Sequence, residues 1–230
     1  MSAVLDTAGA TARDRVGAGA DQRPTWAWAG ALAGLAGIAM ILLSGGLAVT
    51  EGAMADNARI VDEIIDKEGV VWAFQAVCSL GALGATVFAA GLRRRLAVQA
   101  PADSLLPSLA AAGMAAVAIM LLVGGGISTE LFWSLTRTAE EIDPDTVGAN
   151  LGIFNTMAWV WAGAGLTAGA VAVASLRHGS LPRWIGWVSA IAAGLVLLVQ
   201  LLPVQYMAAF VGAPWLLVVG LGLARAERST

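Results

Sequence analysis

Charge is scarce in this sequence. Asp, Glu, Lys and Arg make up 13% of its 230 residues, where a soluble domain carries about 25%. Hydrophobic residues make up 58% and mean hydropathy is +0.77, so the chain reads as a polytopic membrane protein rather than a soluble one. Cysteine is almost absent. Cys78 stands alone inside an apolar run, which excludes an intrachain disulfide or a thiolate cluster and leaves a small buried hydrophobe as its ordinary role. There is one histidine, His178, in the basic stretch "RHGSLPR", where a solvated loop residue is expected rather than a haem or metal ligand. No long apolar stretch contains Lys or Arg, which argues against a retinal Schiff base, an anion pore or a voltage sensor. No G-x-S-x-G, P-loop or His-Glu-x-x-His motif occurs, and with a pI near 5.1 and no extended basic domain, nucleic acid is not an expected partner. No cofactor is implied.

Five uncharged stretches are present: Trp26 to Thr50, Gly69 to Leu92, Ser104 to Thr129, Thr146 to Leu176, and Trp184 to Ala224. The last would reach ~60 Å as one helix at about 1.5 Å per residue, twice the hydrocarbon thickness. It is expected to fold back near Pro203–Tyr206, where proline removes a donor. The fold class is therefore all-α, a bundle of six transmembrane helices over residues 26–224. Residues 1–25 are polar, rich in Gly and Ala and of mixed charge. They read as a disordered cytoplasmic tail rather than a signal peptide, whose apolar core would follow a basic start directly. Residues 225–230 form a second cytoplasmic tail.

Basic residues orient the spans, because Lys and Arg near span ends stay cytoplasmic. Ten of the thirteen fall on one side: Arg13, Arg15, Arg23, Arg93, Arg94, Arg95, Arg177, Arg183, Arg225 and Arg228. Arg59, Lys67 and Arg137 fall on the other with most of the acids. The outer segments sum to −8 and the inner ones to +5, which together give the net charge of −3. Both termini are expected in the cytoplasm and the protein in the plasma membrane.

Small residues point to helix contacts. Gly30-x-x-x-Gly34 and Gly165-x-x-x-Gly169 let backbones approach where lipid removes the hydrophobic drive for association. Trp26-Ala-Trp28-Ala-Gly30 and Trp159-Val-Trp161-Ala-Gly163 resemble each other and suggest an inverted repeat, although the other spans do not keep that register.

One stretch has the residue types that metal–diphosphate chemistry needs. Asp62, Glu63 and Asp66 in "RIVDEIIDKEG" could hold Mg²⁺ through Asp62 and Asp66, with a partner acid from "EEIDPD" at 140–145. Ile60, Val61, Ile64 and Ile65 occupy the opposite helical face, and the ordinary reading is a solvated surface helix over 54–68. In "DPDT" Asp143 suits a helix N-cap and Pro144 a first turn, with Gly148 and Gly152 placed to loosen the outer turns that follow.

A second set of polar groups lies toward the outer ends of the spans: Glu51, Gln75, Glu130, Asn155 and, flanking the last hairpin, Gln200, Gln205 and Tyr206. Trp133 and Trp159 share that level. Glu51, Gln75, Glu130, Asn155, Gln205, Trp133 and Trp159 together could line a vestibule for a small lipophilic or cationic molecule. The competing reading is polar helix ends beneath an interfacial aromatic belt. A membrane-embedded acid–base enzyme is the alternative, an isoprenoid cyclase or isomerase with Glu51 or Glu130 as proton donor and aromatic rings beside a carbocation. A third is an accessory subunit, packed against a membrane partner or a second copy of itself.

At "SLRHGSLPRWIGWVSAIAAG" the chain resembles a broad group of uncharacterised bacterial, actinobacterial-type membrane proteins. In that group a short basic loop with Leu-Pro-Arg and a following Gly opens the penultimate span, here Leu181, Pro182, Arg183 and Gly186. The resemblance implies about six helices and no known activity.

Overall fold

The computed structural model describes residues 25–137 and 142–226. Both expected tails, except their residues 25, 225 and 226, and the acids Glu140 and Glu141 lie outside the described residues. The described residues are helical, with no strand among them, and six helical segments are long and apolar enough to cross a membrane. The all-helical, multi-pass architecture expected from the uncharged runs is the one observed.

The first span is α1 (Thr25–Gly46). A short α2 (Asn57–Ile64) follows and passes through a 3₁₀ turn, Ile65–Lys67, into α3 (Glu68–Ala97). The third span is α4 (Leu106–Leu135). Each 30-residue helix is about 45 Å long and exceeds the ~30 Å hydrocarbon layer. The fourth span is α5 (Pro144–Thr156), a 3₁₀ stretch Met157–Trp161, and α6 (Ala162–His178). The last hairpin is α7 (Arg183–Leu201) and, after a 3₁₀ turn Gln205–Met207, α8 (Ala208–Ala226). The chain folds back at Leu202–Val204, where Pro203 interrupts the apolar run.

Two ends can be distinguished. The acidic end carries α2 and the start of α5. The arginine-rich end carries Arg94 and Arg95 in the last turn of α3, Arg177 in that of α6 and Arg225 in that of α8, where cations favour helix C-termini.

Neighbours around the bundle follow chain order. The pairs α1·α3, α3·α4, α4·α6, α6·α7, α7·α8 and α8·α1 all pack together, closing a ring of antiparallel spans. Small residues set the close approaches. A Cβ on Gly34 would meet the backbone of Leu217 in α8, one on Gly30 would enter the ring of Phe88 in α3, and Gly220 lies against Ala31. The first glycine pair seen in the sequence is thus a double contact. In the second pair only Gly165 is tight, against Val196; Gly169 is in ordinary contact with Ala193.

Side-chain ties supplement these contacts. Thr167 Oγ1 donates to the Ala110 carbonyl at 3.0 Å, joining α6 to α4, and Trp215 Nε1 donates to Ser189 Oγ at 3.0 Å, joining α8 to α7. The Phe74 and Phe154 rings meet at a tilt of 49° with centroids 4.3 Å apart, a pairing worth ~0.5–1.5 kcal/mol. Trp161 is wholly buried, its ring filling the space left by Gly37 and Gly212.

Local capping agrees with the sequence. Asp143 caps α5 by accepting from Asp145 N at 3.2 Å and Thr146 Oγ1 at 2.6 Å, with Pro144 in the first turn. Gly179, with φ 63°, ends α6 in the left-handed conformation open to glycine. Ser175 Oγ bonds the carbonyls of Leu181 and Pro182 at 3.1 and 3.0 Å, and Gly186 leaves room for Ser175 and Leu176. That is the physical role of the Leu-Pro-Arg loop: it locks the α6–α7 turn.

The loosening expected at Gly148 and Gly152 is found elsewhere. α5 stays regular there, and the space above Gly148 is taken by the Asn57 side chain. The tighter winding begins at Met157, where no glycine or proline occurs.

Candidate functional site

α2 is amphipathic as expected, burying Ile60, Val61 and Ile64. Asp56 caps it, accepting from Ala58 N at 3.0 Å. Its Arg59–Asp56 pair, 3.6 Å apart and well exposed, contributes little. Asn57 Nδ2 donates to Asp145 Oδ1 at 2.8 Å and so ties α2 to α5. Within the acidic motif Glu63 has the structural task. Its carboxylate accepts from Thr50 N at 2.8 Å and Thr50 Oγ1 at 2.5 Å, holding the α1–α2 connection. Asp62 and Asp66 are exposed. Among the described residues no group of three or more His, Cys, Asp or Glu is placed to hold a metal ion.

Of the seven polar and aromatic residues expected around a vestibule, six are exposed and one is half-buried. Glu51 lies in the turn after α1, Glu130 on α4, Asn155 in the last turn of α5 and Gln205 in the final 3₁₀ turn, and all four are exposed. Trp133 and Trp159 also face outward, 58% and 40% exposed. Gln75 is half-buried at the α3–α4 contact, beside Gly125. None of the seven lines the groove described next.

That groove lies between α6 and α7 and has a volume of about 300 Å³. Ala162, Gly165 and Leu166 form one wall; Ala193, Val196 and Leu197 form the other. Leu166 and Leu197 are on the outside of the bundle, 47% and 61% exposed, so the groove opens sideways, toward lipid. Gln200, near the acidic end of α7, completes it. Its Nε2 is buried and has no hydrogen-bond partner. A buried amide N–H without an acceptor is costly, on the order of 1–3 kcal/mol, and such orphans in a folded protein need an explanation.

Two other hollows differ in this respect. One, of about 460 Å³, adjoins Trp184, Gly222 and Arg225; the other, of about 380 Å³, lies along Leu32, Ala36, Leu80 and Gly84 between α1 and α3. Neither is lined by a buried polar atom that lacks a partner. The α6–α7 groove therefore combines apolar walls with one unanswered donor, the composition of a site for a lipophilic molecule bearing a hydrogen-bond acceptor. The sequence marks Gln200 as an amide in an apolar run, but not the α6 wall opposite it. Comparison with protein-family models, with curated proteins and with solved structures gave no match.

Proposed function

We propose that this protein is a non-enzymatic membrane protein that binds a small lipophilic molecule in the groove between α6 and α7. The single observation that supports this is Gln200, a half-buried amide that lines an apolar, laterally open groove and whose Nε2 has no hydrogen-bond partner. The ligand would enter from the bilayer, lay its hydrocarbon part along Gly165 and Ala193, and offer a carbonyl or ester oxygen to Gln200, whose side chain would turn to present Nε2 to it. No carboxylate lines this groove, so a neutral ligand suits it better than a cation. Glu51 and Glu130, the proton donors an acid–base enzyme would use, are exposed and share no hydrogen bond, and no observation favours that reading.

The test uses diazirine probes with the full chain in nanodiscs, one a fatty-acid ester and one a hydrocarbon of equal length. Labelling by the ester is expected to concentrate on peptides 162–166 and 193–200. Gln200→Leu should lower ester labelling alone, and Ala193→Phe should lower both. Even labelling around the bundle by both probes, unchanged in both variants, would defeat the proposal.

The orientation belongs to the same reading: both termini cytoplasmic, in a plasma membrane, with the acidic end outside. It rests on the ten-to-three division of basic residues. In a Cys78→Ala background, Asp62→Cys should react with an impermeant maleimide on intact cells, and Val98→Cys only after lysis. The reverse pattern would invert the topology.

A further inference from the structure

Sulfur is concentrated at one place in the bundle. Met40 of α1, Cys78 of α3, Met120 of α4 and Met157 of the 3₁₀ stretch all line a single small void. Four elements far apart in sequence each contribute one sulfur side chain, and every other lining residue is apolar: Leu121, Gly124 and Val160. Of the remaining described methionines, Met54 and Met207 are exposed at the acidic end and Met114 is buried elsewhere in α4. Two consecutive glycines make the convergence possible. The Cβ position of Gly124 is occupied by Met157 Cε, and that of Gly125 lies 3.6 Å from Cys78 Cβ.

The void does not admit a water molecule, yet that is no bar to an ion. Metal–sulfur bonds are about 2.3 Å, well inside the ~3.5–4.0 Å separation of non-bonded atoms, so an ion needs no more room than this hollow offers once the sulfur atoms that line it turn toward a shared centre. Methionine is unbranched and can make that adjustment. Thioethers with one thiolate are soft donors, and they select cuprous ion over harder divalent cations. Charge agrees with depth. One thiolate and one monovalent cation sum to zero, whereas a divalent ion would leave a net charge buried among apolar groups.

We infer that Met40, Cys78, Met120 and Met157 form a binding site for a soft monovalent metal ion, Cu(I), inside the bundle. On binding, the Cys78 S–H bond breaks, its proton passes to solvent, and a copper–sulfur bond forms with no change in oxidation state. The 3₁₀ turn bearing Met207 packs on the stretch bearing Met157. This site is separate from the α6–α7 groove and stands without it.

The alternative is that methionine simply fills an irregular gap. Leucine fills the same volume without a donor atom, so substitution separates the two readings. Anaerobic titration of the detergent-solubilised chain with Cu(I), in competition with bathocuproine disulfonate, should give one ion per chain and an all-sulfur shell in K-edge absorption. Cys78→Ala should weaken binding by about 100-fold, the upper end of what loss of even an outer-shell partner causes. Met40→Leu/Met120→Leu/Met157→Leu should weaken it similarly while the metal-free protein keeps its melting temperature. Failure to bind one Cu(I) per chain would overturn the inference. So would unchanged affinity in both variants, which would place the ion on Met54 and Met207, or a triple variant that melts far below the parent, which would make the methionines packing residues.

Discussion

Gly113 of α4 and Gly163 of α6 face each other so closely that a Cβ on either would be driven into the other's carbonyl oxygen. The hydrogen bond from Thr167 to Ala110 lies beside this crossing. Two backbones in contact gain dispersion and dipolar attraction along a line that any side chain would interrupt.

Gly163→Ala should therefore destabilise the bundle by about 1–3 kcal/mol, the usual cost of overpacking. Gly169→Ala, one face over, is the control. Its added Cβ would meet only the Ala193 methyl group, at 3.9 Å, so the variant should be neutral or gain up to about 1 kcal/mol from the lower entropy of the unfolded helix. Unfolding followed by circular dichroism in micelles checks both; equal effects would mean that the crossing is looser than described.

Ser189→Ala should cost about 1–3 kcal/mol, because it strands the buried indole N–H of Trp215 without an acceptor. Ser128→Ala should cost much less. That hydroxyl is equally buried but donates to Gly124 O in its own helix, at 2.8 Å, an acceptor the helix already satisfies. Similar losses in the same unfolding measurement would refute a specific α7–α8 tie.

Acid should fray the start of α5. The Asp143 carboxyl is held below its ordinary range first by the Thr146 hydroxyl and then by the Asp145 N–H. A carboxyl whose folded pKa is depressed contributes stability above its unfolded pKa and loses it as pH falls through the folded value. Amide exchange, corrected for its intrinsic pH dependence, should accelerate in the first turn of α5 as pH drops below the ordinary aspartate range. In Asp143→Ala the turn should exchange fast at every pH. A pH response that survives in that variant would assign the effect to another group.

The number and extent of the spans were legible in the sequence, because uncharged length is a linear property. So were Asp143 and Pro144 at a helix start and Pro203 at the last turn. Rotation about each helix axis was not. Glu51, Glu130 and Asn155 are expected at one level from their places in the spans, but whether side chains at one level converge depends on azimuth, which a six-helix ring fixes only through all its contacts together. Gly113 and Gly163 carried no G-x-x-x-G signal, since each pairs across the bundle rather than repeating along one helix. The 3₁₀ stretch at Met157–Trp161 was hidden for a similar reason. It contains no breaker, and its winding accommodates Trp161 between Gly37 and Gly212.

The order of the ring has a consequence for biogenesis. Every span but one finds a neighbour in the span made just before it, so each helix can dock as soon as it leaves the translocation machinery. α1 is the exception on one side: the face bearing Gly34 has its partner in α8, the last span synthesised. Until the final hairpin is inserted, that face is open to lipid or to any quality-control factor that reads unpaired helices. A chain that stops before Ala208 would leave its first span half-covered, with the defect at the start of the protein although the missing part is at its end.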